Sequence, residues 1–245
     1  MSVPLADVKA IKNEAGTTVN DVVLTIVAGV LRRWLEEHGG VPDRPLAAMV
    51  PLSVRRPDQA NAVGNFVSST ISTLATHLES PSERLQAVHE SMITAKTTSG
   101  ALGADILSDL SQVAPPAVAA LAGRLVASTK LADRMTLPFN VVVSNVPGPP
   151  IPLYLAGAEV VGHYPVSAIV DGVGLNITVV STNGNLDFGF VSDRDLVPDL
   201  WEMSDVLPEI VAELAADVGA TLPSTPSKKK SVKKKAATKK KTASD

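Results

Sequence analysis

Four histidines, His38, His77, His89 and His163, are the proton-handling side chains of this 245-residue sequence. An imidazole is the usual general base near neutral pH, and it works when a partner orients it toward the proton it takes. His38 lies in the polar run "EEHGG", His77 closes a strand-like stretch, and His89, beside Val88 and Glu90, reads as a surface residue in mid-helix. His163 is the remaining candidate catalytic base, because "HYPVSAIVDG" also carries Asp171 and Gly172. Cysteine is absent, which removes thiol nucleophiles, disulfides and thiolate metal ligands together. The scattered histidines give no ligand set at helix or hairpin spacing, so no metal is expected. GxSxG and Walker-type patterns are missing, and "GVGLN" at 172–176 reads as a turn into a strand.

A second polar constellation is "NVVVSNVPGPP" at 140–150, where Ser144 and Asn145 stand between a β-branched run and a Pro-Gly turn. Side chains alternate along a strand, so Asn145 shares a face with Val143 and Val141, and Ser144 shares the other with Asn140 and Val142. "VPGP" reads as a type II turn, with Pro147 at its second position and Gly148 supplying positive φ at its third. The ordinary role for two such side chains is to satisfy backbone groups at the strand end.

The elements that must position these groups are legible from periodicity. Val23, Ile26, Val27, Val30, Leu31 and Trp34 keep helical spacing, with Thr18 or Asn20 available as N-cap and Gly39-Gly40 as the stop. "SPSERLQAVHESMITAK" predicts a second helix with Ser80 as N-cap, Pro81 in the first position and Glu83 completing a capping box. A third, bent helix is expected within "SDLSQVAPPAVAALAGRLVASTK", with Pro115-Pro116 at a helix start. "LAAMVPLSV", "FVSSTISTL" and "FNVVVSNV" read as strands. Asn183-Gly184 marks a two-residue hairpin pairing 174–181 with 186–191. A last helix begins near Pro198, is kinked at Pro208 and stops at Gly219. The fold class is therefore α/β, a mixed sheet packed by helices on at least one face.

Hydrophobic residues form 45% of the chain and aromatics 3%, so the core is expected to be Val, Leu, Ile and Ala. The longest apolar stretches, around "VVLTIVAGVL", run to about ten residues, half of what a membrane span takes. "MSVPLADVKAIKNEAG" lacks the basic-then-apolar pattern of a secretory signal, and the expected location is cytoplasmic, peripheral at most to a membrane or lipid-body surface. The net charge of −3 divides unevenly, because nine lysines lie in the last 18 residues with a single acid, Asp245. Residues 1–222 are read as one domain and 223–245 as a disordered Lys-rich tail. Lys228 to Lys241 would attract anionic lipid, at roughly 1 kcal/mol per lysine near such a surface, or bind nucleic acid nonspecifically; the plain alternative is a solubilising tail that folds back loosely on the acidic body. Lysine without arginine or aromatics gives no base readout, so no sequence-specific nucleic acid is expected.

Four motifs in one order carry a family resemblance: "TVNDVVLTIVAGVLRRWL" at 18–35, "PLSVRR" with "NAVGNFVSS" at 51–69, "SNVPGP" at 144–149 and "GLNITVVSTNGNLDFGFVSDRDLVPD" at 174–199. Together they resemble the C-terminal half of the bacterial wax ester synthase/diacylglycerol acyltransferase (WS/DGAT) family, actinobacterial type, over roughly residues 5–220. The resemblance implies one of the two α/β halves of a CoA-dependent acyltransferase fold. It also implies transfer of an acyl group from acyl-CoA, a co-substrate rather than a cofactor, to diacylglycerol or a long-chain alcohol. An aliphatic hydroxyl needs a general base to attack a thioester. In the family that base belongs to an HHxxxDG motif in the first half, which this sequence does not contain; seven residues separate His163 from Asp171 where the motif has three.

By the same resemblance Asn20 and Asp21 match the family's Asn-Asp pair, and Gly64 and Asn65 its Gly-Asn before a strand. Ser144 and Asn145, followed by Pro147 and Gly148, would help hold the thioester carbonyl or the hydroxyl, as preorganised donors. Capping remains the elementary reading of Asn20 and Asp21. Two functions compete. One is an acyltransferase half that requires an HHxxxDG-bearing N-terminal half as partner; the other is a non-catalytic lipid- or partner-binding module, or an inactive truncated relic. A missing half predicts an exposed apolar face, and with it self-association, a partner chain or adsorption to lipid.

Overall fold

The computed structural model describes residues 1–53, 67–99, 137–169 and 172–224. Gly64, Asn65, Asp171, the third helix expected from the sequence and Lys228 to Lys241 lie outside the described residues. In chain order the elements are β1 (Ser2–Pro4), α1 (Leu5–Ala15), α2 (Val19–Glu37), β2 (Ala47–Ser53), β3 (Val67–Thr73), α3 (Pro81–Ser99), β4 (Val141–Val146), β5 (Tyr154–Leu155), β6 (Ala158–Glu159), β7 (Leu175–Thr182), β8 (Asn185–Ser192), α4 (Leu200–Asp205) and α5 (Leu207–Val218).

Six strands form a mixed sheet in the order β1-β8-β7-β4-β2-β3. β4 runs parallel to β2 on one side and β7 on the other, while β1–β8, β7–β8 and β2–β3 are antiparallel. The hairpin forms where the sequence places it, with Thr182 opposite Asn185 and positive φ at Asn183 (43°) and Gly184 (85°). That is the backbone a right-twisted two-residue connection demands.

α2 lies at the centre of the helical layer, and every residue from Asp21 to Leu31 is buried. A helix apolar on nearly all sides belongs inside a protein rather than on its surface. It packs with Val8 and Ile11 of α1, Leu85, Val88 and Met92 of α3, and Leu207, Ile210 and Leu214 of α5 in one core, joined from the sheet by Val141, Val143, Ile177, Val179 and Phe188. Thr18 rather than Asn20 is the N-cap: its hydroxyl accepts from Asp21 N–H while Asp21 Oδ2 accepts from Thr18 N–H, a reciprocal box. No single described helix is long and apolar enough to cross a membrane, and α1 with α2 passes that test only as a pair bent by 104°.

Two expectations need correction. Gly148 does not have positive φ, so "VPGP" is not the type II turn predicted. The glycine is required by crowding, since a Cβ there would lie 2.2 Å from the Ser181 carbonyl oxygen. The helix after Pro198 is broken rather than kinked: α4 ends at Asp205, and α5 restarts with Pro208 in its first turn and stops at Gly219 in the left-handed conformation. Proline lacks the N–H that a continuous helix would need there. Residues 2–15, given no element above, form β1 and α1, with Gly16 as a left-handed C-cap.

Candidate functional site

Asn20 and Asn145 meet where the first turn of α2 faces the end of β4. Val141 and Val143 are buried against the helical layer, so strand alternation sends Asn145 to the same side. There its Nδ2 donates to Asn20 Oδ1 at 3.4 Å, across 125 residues of sequence. The Asn20 Nδ2 group is shielded from solvent and has no acceptor among the described residues, although a primary amide carries two N–H donors. Two amides from different elements thus form a donor-rich corner with hydrogen-bonding capacity unspent.

Ser144 does not join them. It points to the opposite face, in register with Thr178 of β7, whose hydroxyl shares a hydrogen bond with Ser167 and donates to Asn176 Oδ1. The segment before β7 covers that second face so closely that a Cβ at Gly189 would lie 1.8 Å from the Pro165 carbonyl oxygen. The two adjacent polar residues therefore serve different sides of the sheet. Pro147 is exposed, and Gly148 N–H donates to Ser181 Oγ at 3.0 Å, tying the segment after β4 to the end of β7.

Asp21 is 1% exposed, and its Oδ2 accepts from Thr18 N–H, Thr18 Oγ1 and His89 Nδ1 at 2.9, 2.8 and 2.7 Å. His89, read above as a surface side chain, is thus bound to a buried carboxylate. Its spacing held the signal: four residues after Leu85 and three before Met92, it borders the buried stripe of α3. The imidazole of His163 is exposed and shows no hydrogen-bond partner among the described residues, while its backbone N–H donates to Asp187 Oδ2 at 2.8 Å. A general base needs an orienting group, and His163 shows none among the described residues. His77 is exposed.

His38 is built into a separate surface cluster. Its Nδ1 donates to the Trp34 carbonyl at 2.8 Å, its Nε2 meets Asp199 Oδ2 at 2.6 Å, and its ring stacks on Trp34. Glu37, His38 and Glu202 place ligand-type atoms within 4.8 Å of one another. Both imidazole nitrogens are already committed, so the ring has no free lone pair for a metal while those bonds hold. A pocket of about 730 Å³ opens beside the C-terminal half of α2, lined by Arg32, Arg33, Arg84, Glu36, Glu213 and Asp217 among others. Arg84 there is 4% exposed and donates to the Leu78 and Glu79 carbonyls, and burial holds its guanidinium below its ordinary pKa.

Comparison with known proteins agrees with the motifs. The model of the WS/DGAT C-terminal domain matches residues 63–215. A protein of Mycobacterium tuberculosis H37Rv named a probable diacylglycerol O-acyltransferase is 44% identical over 218 residues, covering 86% of this chain and 46% of that protein. Among solved structures, the wax ester synthase/diacylglycerol acyltransferase of Marinobacter aquaeolei VT8 aligns with TM-score 0.66 and 32% identity over 89% of this chain and 48% of the other. The epimerization domain from the third module of tyrocidine synthetase B, at 13% identity and TM-score 0.53, covers 89% of this chain and 48% of its own and shares the fold alone. The chain spans about half the length of the curated relatives it matches. The mixed sheet with its central α2 is the fold of those structures, and the chain belongs to the WS/DGAT family through its C-terminal domain.

Proposed function

We propose that this chain is the C-terminal half of an acyl-CoA-dependent O-acyltransferase making triacylglycerol or wax ester, completed by an N-terminal half that bears HHxxxDG. The observation that carries the reading is the Asn20–Asn145 contact, which joins two of the resemblance motifs at one corner and leaves a shielded amide donor unspent. In the reaction the acceptor hydroxyl oxygen attacks the thioester carbon, a base takes its proton, and the C–S bond breaks to release CoA as thiol. Negative charge grows on the carbonyl oxygen as the tetrahedral intermediate forms, and preorganised N–H donors stabilise it. This chain would supply donors and channel wall; the histidine base would come from the other half, a contribution of typically 10²–10⁴ in rate. Ser144, Gly64 and Asn65 belong to the same proposal as channel or turn residues.

The partner half has a fitting surface. Ile151, Tyr154, Leu155, Val161, Tyr164 and Val166 are all more than half exposed, within 16 residues around β5 and β6. An apolar run of this size on a free chain favours association. A non-catalytic lipid- or partner-binding module would use the same surface, and the Lys-rich tail would add attraction to anionic lipid or lipid bodies.

The test is acyl-CoA-dependent ester formation, with diacylglycerol and with a long-chain alcohol, by the folded chain alone and with an HHxxxDG-bearing N-terminal half from a relative. Ester formation only with the added half is the expected result. Turnover by the chain alone would transfer the base to this sequence, with His163 and His89 the first to replace. Silence in both arms would leave the binding module.

A further inference from the structure

The reason Asn20 sits where Asn145 can reach it lies on a third element. The first turn of a helix has no N–H···O=C bonds from a preceding turn, and its position depends on side chains. In α2 those side chains converge on one atom, Asp21 Oδ2. Two of its three donors belong to Thr18, three residues away, and close the turn locally. The third, His89 Nδ1, comes from α3 and ties that turn to the rest of the protein. A carboxylate only accepts, so the ring presents Nδ1–H to it. The neutral ring then holds its lone pair on Nε2, which makes no hydrogen bond among the described residues.

We infer that His89 is a positioning residue for the Asn20–Asn145 corner, an inference that rests on the acyl-transfer reading of that corner. It acts through Asp21, the neighbour of Asn20, by holding the α2 first turn against α3. The Asn145 Nδ2 to Asn20 Oδ1 distance of 3.4 Å is at the long end for a hydrogen bond, so a shift of a few tenths of an ångström at the turn breaks it. Losing His89 leaves the Thr18–Asp21 box intact. The helix therefore persists while its first turn loses its outside anchor.

The chemistry of the ring separates this role from general-base catalysis. His89→Asn keeps an N–H donor near the Nδ1 position and removes Nε2; His89→Met fills similar space with no donor. In the ¹⁵N-labelled chain, the side-chain amide signals of Asn20 and Asn145, assigned by Asn20→Asp and Asn145→Asp, report the corner without any turnover. His89→Asn is expected to leave them near their wild-type positions, and His89→Met to move both toward the shifts of free asparagine. With the N-terminal half added, His89→Met should lower kcat at least tenfold at unchanged KM for acyl-CoA, and His89→Asn should restore most of it.

Unchanged amide signals in His89→Met would overturn the inference. So would equal loss of kcat in both variants with the amides undisturbed, which would make Nε2 a proton acceptor instead. Should His89→Met fail to fold, His89→Ala and Asp21→Asn put the same question to the same amide signals. Absence of ester formation even in the wild type would reject the acyl-transfer reading, while the amide signals would still decide the positioning role.

Discussion

His38 Nε2 lies 2.6 Å from Asp199 Oδ2 while its Nδ1 donates to the Trp34 carbonyl, so both bonds are best made by the doubly protonated ring. The Trp34 carbonyl first, and then Asp199, hold the His38 pKa above the ordinary 6.5. Trp34 Nε1–H first, and then His38, hold Asp199 below its usual carboxylate value. The cluster joins the end of α2 to the residue that precedes α4.

The sign of the pH dependence follows. A raised histidine pKa stabilises the fold fully below the unfolded value and loses that contribution as pH rises through the folded one. A depressed aspartate stabilises above the unfolded carboxylate value and loses its contribution as pH falls through the folded one. The cluster is expected to stabilise most between those two ranges. His38→Gln should flatten the fall in thermal midpoint on the alkaline side of that window, and Asp199→Asn should flatten both sides. Calorimetric midpoints across the acid to mildly alkaline range check this, and parallel curves for wild type and both variants would exclude the cluster as their source.

At Gly148 the expected defect is steric. A Cβ would lie 2.2 Å from a backbone oxygen of β7, which a rotamer change cannot relieve. Gly148→Ala should destabilise by about 1–3 kcal/mol, the usual cost of overpacking. Urea unfolding measures it, and Ser181→Ala, which removes only the bond to Gly148 N–H, serves as the milder control.

This glycine also shows where sequence reading stops. "VPGP" announces a turn that residues 147–149 do not form, and the need for glycine comes from β7, more than thirty residues later, which no local pattern carries. Asn183-Gly184 was legible because its constraint is the backbone of the turn itself. The alternation that put Asn145 and Ser144 on opposite faces was legible as well, and it divides the two rather than pairing them. Asn20 and Asp21 could be placed in the first turn of α2 from their spacing. Their partners, Asn145 and His89, lie 125 and 68 residues away, and only the packing of α2 against α3 and β4 brings them together. The β1–α1 segment shows the opposite case: Val8 and Ile11 at helical spacing before Gly16 were a usable signal.

Asn145 tests the donor corner itself. Asn145→Leu keeps similar volume on the helix-facing side of β4 and removes the N–H that reaches Asn20. In the complemented enzyme it should lower kcat by about 10²-fold, the usual effect of losing one donor to a developing oxyanion. KM for acyl-CoA should change little, because the loss falls on the transition state. A rise in KM at constant kcat would instead make Asn145 part of substrate binding.

Leu155 and Val161, 75% and 88% exposed, are the side chains on which the partner-half proposal is most open to test. Burying one such residue on association is worth roughly 1.5–3 kcal/mol, and placing a carboxylate there replaces that gain with a desolvation cost. Neither side chain packs against the core, so Leu155→Asp with Val161→Asp should leave the thermal midpoint of the isolated chain almost unchanged. It should weaken capture of an HHxxxDG-bearing half at least a hundredfold in a binding titration. It should also reduce the concentration-dependent self-association expected of the free chain, as read by sedimentation. Full capture by the double variant would move the interface elsewhere on the sheet. Loss of self-association with capture intact would mean that copies of this chain meet through β5 and β6 while the N-terminal half docks on another face.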